Sequence, residues 1–329
     1  MMHFGLIGIG AGVAAALLFA SVTSGSWLSI LLFYLAPLPI MIAGLGWSQW
    51  AALIAALTGA FALTLIFGGV FFFAFMAGAG FPAWWLGYLA MLARPAPAGG
   101  NGKSPAALEW YPAGRLVVWA AALAALSVVV AILNFGTDAE SFRSGFHDML
   151  AMMLRVATDT PKNAPLVIPG VSDVERFIRG YVAVLPPAAA VLTTTVYVLN
   201  LWLSARIVKI SGRLTRPWPQ LATISFPRPL AAALAVAVGL SFSDSLVGIA
   251  AGVLSATLLM AYGVLGLAVL HAVTQGISNR AFVLGSTYAA VIVIGLPVLA
   301  LSLLGLLETL FDLRARVARR RGPPPPLLT

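Results

Sequence analysis

Charge is the scarcest property of this chain. No Asp, Glu, Lys or Arg precedes Arg94, and across 329 residues only 9% are charged while 61% are apolar. Soluble domains carry about 25% charged residues. A water-facing surface cannot be assembled from so few, which argues against a cytosolic enzyme, a secreted domain and a disordered regulator alike. Cysteine is missing altogether. Its absence excludes disulfides, thiolate metal sites and cysteine nucleophiles. The three histidines, His3, His147 and His271, are too scattered to suggest a metal cluster. Acidic residues number 10 against 19 basic ones, a net charge of +9. In a soluble protein that excess would point to nucleic acid. Here the basic residues lie in short loops and a tail beside long apolar runs, where they set membrane orientation. No nucleic-acid partner and no cofactor are expected.

The expected fold is all-α: a polytopic transmembrane helix bundle of eight spans, with nine as the alternative, carrying an external amphipathic helical insert. About 20 residues cross a bilayer core of about 30 Å, so the uncharged residues 1–92 hold four spans. Their breaks fall at 21–26, 46–49 and 68–69, with Trp27, Trp47 and Trp50 nearby as interfacial aromatics. The first span lacks the basic n-region and the small-residue cleavage site of a secretory signal, and reads as retained. A Pro/Gly linker at 93–114 leads to a fifth span at 115–135.

Residues 136–185 form the one substantial polar region, the insert. Two capping boxes, Thr137 to Glu140 and Ser172 to Glu175, mark helix starts. Phe142, Phe146, Met149, Leu150, Met153 and Ala157 then recur on one apolar helical face. Such helices lie on a membrane or cover the mouth of a bundle. Pro186-Pro187 reads as a turn into the sixth span. Residues 186–311 carry the remaining spans around the basic loop 204–228, and 312–329 is a basic, Pro-rich tail.

The loop holds Arg206, Lys209, Arg213, Arg216 and Arg228 with no acid, so it is expected in the cytoplasm. That places the insert outside, and the linker and the N-terminus inside. The arginine-rich tail also asks for the cytoplasm, which requires an even number of crossings after residue 228, yet three apolar blocks follow. Residues 230–243 are too short for an upright span and could be re-entrant; alternatively the last block, 281–310, folds back at Gly295–Pro297.

Several motifs invite stronger readings. Gly10-Ala11-Gly12-Val13-Ala14-Ala15 fits the dinucleotide fingerprint, but no acid occurs before Glu109 and the segment is membrane-apolar. Small residues that let helices approach closely explain it better. Gly102-Lys103-Ser104 resembles the end of a phosphate-binding loop, but Pro97 stands where the first glycine is needed and no strand precedes it. Ionisable and polar groups in spans are costly and often functional. The candidates are Asn200, Asp244, His271, Tyr288 and Glu308, with local bonding to helix carbonyls as the other reading. His147-Asp148 reads either as a site or as the solvated face of its helix. No catalytic spacing survives, so no enzyme is expected.

The segments Gly266-Leu267-Ala268-Val269-Leu270-His271 and Leu304-Gly305-Leu306-Leu307-Glu308, followed by Phe311-Asp312-Leu313-Arg314, resemble the YybS-like family of bacterial integral membrane proteins of unknown function. Asp is common in that family where Glu308 stands. The resemblance implies a multi-pass protein of the bacterial inner membrane with no established activity. The N-terminal spans are also faintly similar to the substrate-capture subunits of energy-coupling-factor vitamin importers, which dock a partner through small residues on their first helix. Ala11, Gly12, Ala15, Ala16 and Ala20 would provide such a face, or would pack inside the bundle. The expected function is a small-molecule binding or transport component without its own energy coupling; a non-catalytic scaffold or assembly factor is the alternative. The expected partners are the lipid bilayer and a second membrane subunit. A lipid-processing enzyme would require Asn200, His271 and Glu308 to gather at one depth.

Overall fold

The computed structural model describes residues 2–95, 108–161 and 164–321. Helices dominate it, as lipid demands of a backbone that must bond to itself. The uncharged first third comprises α1 (Met2–Ala20), α2 (Trp27–Tyr34), α3 (Pro37–Gly46), α4 (Gln49–Phe67), α5 (Val70–Phe75) and α6 (Phe81–Ala90). Its turns fall where the small and polar residues cluster. Ser26 and Ser48 cap α2 and α4, their hydroxyls accepting the amides of Ser29 and Ala51, and Gly68 ends α4 at φ +97°. Two interruptions inside spans have no counterpart in the sequence reading. The second span breaks between α2 and α3, ahead of Pro37, and a single π-helical turn, Met76–Gly80, joins α5 to α6.

Strands β1 (Ala93–Pro95) and β2 (Leu108–Trp110) pair antiparallel, with Arg94 opposite Glu109. There follow α7 (Ala113–Leu133), α8 (Ala139–Ala157), α9 (Val174–Ile210), α10 (Pro229–Leu240) and α11 (Leu246–Val273). The chain then forms α12 (Arg280–Ile294), α13 (Pro297–Phe311) and α14 (Leu313–Arg321).

Three expectations need correction. Asp138 and Asp173, not Thr137 and Ser172, cap α8 and α9. A carboxylate is the better acceptor at the positive end of a helix, and Asp138 takes the amides of both Glu140 and Ser141. Those bonds and the Ser141 hydroxyl hold the Asp138 carboxyl below the usual aspartate range. Pro186-Pro187 makes no turn: α9 runs unbroken for 37 residues, so the boundary at 185–186 falls inside a helix. Proline's fixed φ suits a helix, and burial of Val182, Pro186 and Ala190 on one face holds this one together. The last apolar block is not one span. Gly295, at φ +75°, and Pro297 divide it into α12 and α13 at the position of the alternative fold-back.

Among the described residues, seven segments are long and apolar enough to cross a membrane: Phe4–Ser24, Trp27–Gly46, Gln49–Phe67, Val70–Ala90, Ala113–Leu133, Val174–Ile210 and Leu246–Val273; α10, α12 and α13 are shorter. Small residues close two helix seams. A Cβ on Gly8 would strike Ala51 and Ile54, and one on Gly12 would strike Ala55 and Thr58, so α1 and α4 run parallel in close contact. Gly266 lies equally tight against the Leu301 backbone, and Gly305 against Tyr262, which locks α13 onto α11.

The two ends of the bundle differ. One gathers the basic loop: Arg213 sits over the Trp47 ring at 4.7 Å, Lys209 over Trp218 at 4.9 Å, and Arg216 donates to Ala90 O and Tyr111 O, both at 2.7 Å. The start of α14 lies at this same end, where Arg314 donates to Ile224 O and Arg228 pairs with Asp312. The basic loop and the first residues of the tail thus share one end of the bundle. The opposite end carries α8 and the first turns of α9.

Candidate functional site

At that opposite end α8 lies across the mouth of the bundle. Its apolar stripe turns inward: Phe142 is buried, and Phe135, Phe142 and Phe146 form a ring cluster with centroids 5.3–6.2 Å apart. The 3.6-residue period that gathers those rings puts Glu140, Arg143, Ser144, His147 and Asp148 together on the other side. On α9 the same period aligns Glu175, Arg179, Val182, Ala183 and Pro186. Ser243 and Asp244 come from the turn between α10 and α11. Together these elements enclose a cleft of about 970 Å³, at the large end of the roughly 300–1,000 Å³ range for small-molecule sites.

Charged ties bridge α8 to its neighbours. Arg143 Nη2 donates to Asp244 Oδ1 at 3.3 Å. His147 Nε2 lies 3.1 Å from Glu175 Oε1, and its Nδ1 lies 3.3 Å from Asp148 Oδ1. Exposed pairs of this kind contribute about 0–1 kcal/mol, so the phenylalanine cluster is the main anchor of α8. Arg179 and Glu140 have no side-chain hydrogen bond or ion pair among the described residues. Pro186 and Pro187 have no N–H, which removes the usual helical donors to Val182 O and Ala183 O. Among the described residues the cleft thus offers one cation and one carboxylate without a side-chain partner.

Deeper in the bundle the π-helical turn is pinned by side chains. Ser127 Oγ lies 2.7 Å from Ala77 O, the Tyr197 hydroxyl donates to Gly78 O at 2.9 Å, and the two hydroxyls are 3.1 Å apart. These bonds satisfy carbonyls that the wider turn leaves exposed.

The sequence candidates disperse. Asn200 Nδ2 donates to Tyr34 O and Val196 O, both at 2.8 Å, covering a carbonyl at the break between α2 and α3. Asp244 reaches the cleft. His271 Nε2 and the Tyr288 hydroxyl meet at 2.9 Å. Glu308 accepts from Arg314 Nε at 2.7 Å and from its amide at 3.0 Å. Of the five, only His271 and Tyr288 bond to each other, and Asn200, His271 and Glu308 share no partner. The small-residue face of α1 is taken up by the chain itself. Gly12 meets α4, Ala15 and Ala16 are buried, and Ala11 and Ala20 pack against the same core. The dinucleotide-like glycines lie mid-helix in α1, with no strand before them. Gly102-Lys103-Ser104 and Pro323–Pro326 lie outside the described residues.

Sequence reasoning missed Glu140, Arg143 and Arg179. Their signal was the polar stripe on α8 and its counterpart on α9, which looked like ordinary solvated faces until the two were seen to oppose each other.

No curated protein and no solved structure matches this chain. A family model does match, over residues 13–309, nearly the whole of the bundle and the cleft. The chain belongs to that family, described as predicted membrane protein (DUF2232).

Proposed function

We propose that this membrane protein binds a small molecule in the cleft beneath α8 and serves as a binding or transport component without its own energy coupling. The observation that carries this reading is the cleft: six charged side chains of both signs converge there from three elements. The thin barrier below it adds support. The 12 residues of α10 measure about 18 Å at 1.5 Å per residue, against a hydrocarbon core of about 30 Å. Arg228 stands at one end of that helix and the cleft-lining Ser241 at the other. The buried carboxylate of Glu308 is neutralised by Arg314, which supports the absence of autonomous coupling. Nothing in the cleft forms a nucleophile–base pair, so binding without chemistry is the reading we adopt.

The basic loop, the start of α1 and the start of α14 share one end, which supports an inner-membrane orientation with that end in the cytoplasm and the cleft outside. The bilayer is the partner of the exposed apolar faces. A second membrane subunit would have to dock elsewhere than on the small-residue face of α1, because α4 covers it. The test is a thermal-shift screen of the purified protein against amino acids, sugars, nucleosides, organic acids and vitamins. A ligand at about 100 times its Kd stabilises the folded state by about 2.7 kcal/mol, so at least one class should raise Tm. No shift with any class contradicts the proposal.

A further inference from the structure

Resting on the reading of the cleft as a binding site, we infer that its ligand is a small zwitterion carrying a primary ammonium and a carboxylate: an amino acid or a short peptide. The inference comes from what remains after the cleft's own groups are paired. Arg143 is engaged with Asp244, and His147 lies between Asp148 and Glu175. Arg179 and Glu140 line the cleft with no side-chain partner among the described residues, beside a His147 that two carboxylates share. A ligand of a single charge sign would leave one of these unanswered. A zwitterion answers both.

The surrounding acceptors sharpen the choice. A primary ammonium has three N–H donors and no acceptor. Glu140 lines the cleft, and so do Val182 and Ala183, whose carbonyls lack helical donors because Pro186 and Pro187 follow them. Arg179 lies one turn before those carbonyls on α9, a separation of about 5–6 Å between such positions. Its guanidinium is suited to forked bonding of a carboxylate. Phe142, Phe242 and Ile249 supply apolar wall, and the volume leaves room for a bulky side chain or a second residue.

Calorimetric titration of the purified full-length protein with L-leucine and L-leucyl-L-leucine tests the inference. The comparison ligands are 3-methylbutylamine, which is leucine without its carboxylate, 4-methylpentanoate, which is leucine without its amine, and glucose and adenosine. At least one zwitterion should bind at least about tenfold more tightly than the amine or the acid, because a charge-assisted hydrogen bond contributes about 1.5–3 kcal/mol. Arg179→Gln should remove that advantage over the amine, and Glu140→Gln the advantage over the acid. Arg176→Gln, outside the cleft, should change neither, and unchanged Tm values without ligand confirm that all three variants fold. Zwitterions binding no better than their single-charge analogues, or glucose or adenosine binding while they do not, overturns the inference and leaves the cleft as a site. Binding by none of these probes overturns it as well. If the wider thermal-shift screen is also silent, the proposed function falls with it.

Discussion

The two ends of this bundle use the same residue type in opposite ways. At the basic end the cations are engaged: Arg216 holds two backbone carbonyls, Arg314 holds Glu308 and Ile224 O, and Arg213 and Lys209 lie over tryptophan rings. At the cleft end Arg155 likewise donates to Pro161 O and Ala164 O, but of the two arginines that line the cleft Arg143 reaches only an exposed aspartate and Arg179 has no side-chain partner among the described residues. Arginines that seal backbone carbonyls close a structure. Arginines left facing a cavity keep it open for a ligand. The difference teaches that net charge, read as one number, hides two roles.

Substitutions can break this comparison. The largest loss is expected for Glu308→Ala, which strands Arg314 in a site where the pair is only 7% and 17% exposed. Removing one partner of such a pair costs about 3–5 kcal/mol, so Tm and purified yield should both fall sharply. Gly266→Leu should come close behind. Its side chain would enter the Leu301 backbone, and overpacking of this kind costs about 1–3 kcal/mol or more. Arg216→Ala should cost about 2 kcal/mol, from two charged hydrogen bonds partly replaced by water. Arg179→Ala, by contrast, should leave stability within about 0.5 kcal/mol of the parent, as exposed changes do, while affinity for a zwitterion falls about tenfold. Equal Tm losses for Arg216→Ala and Arg179→Ala would erase the distinction between the ends.

The smallest effect concerns the entry to α8. Asp138 has its carboxyl held below the ordinary aspartate range by Ser141. Its stabilising contribution is therefore complete above that range and is lost as pH falls through its folded-state value. The amides of Glu140 and Ser141 should lose exchange protection there while the bundle amides keep theirs.

Much of the architecture was legible because it rests on composition and period. The absence of charge before Arg94 announced four spans, and Ser26, Ser48 and Gly68 mark real helix ends. The stripe of Phe142, Phe146 and Leu150 announced an amphipathic helix, lying on the membrane or over the bundle mouth, and its rings pack against Phe135 and α9. What was not legible depends on neighbours. Pro186-Pro187 signals a break by local rules, yet burial of Val182, Pro186 and Ala190 keeps α9 continuous through it. The π-helical turn at Met76–Gly80 is held by Ser127 and Tyr197, which are far away in sequence. The cleft was hidden for the same reason: Glu140 and Arg179 look like solvated residues on separate helices until the fold sets those helices face to face. Asn200, singled out as a bundle polar group, turned out to cover a backbone carbonyl at a helix break.

Because the chain has no native cysteine, Ala183→Cys places a single thiol on the wall of the cleft. Its labelling by a membrane-impermeant maleimide on intact cells tests the central claim most directly, namely that an outward-facing cleft binds ligand. The account predicts labelling from outside, slowed by any compound that raises the Tm of the protein, with Arg179→Gln removing protection by a zwitterion. Failure to label from outside, or labelling at an unchanged rate in the presence of every stabilising compound, would contradict it.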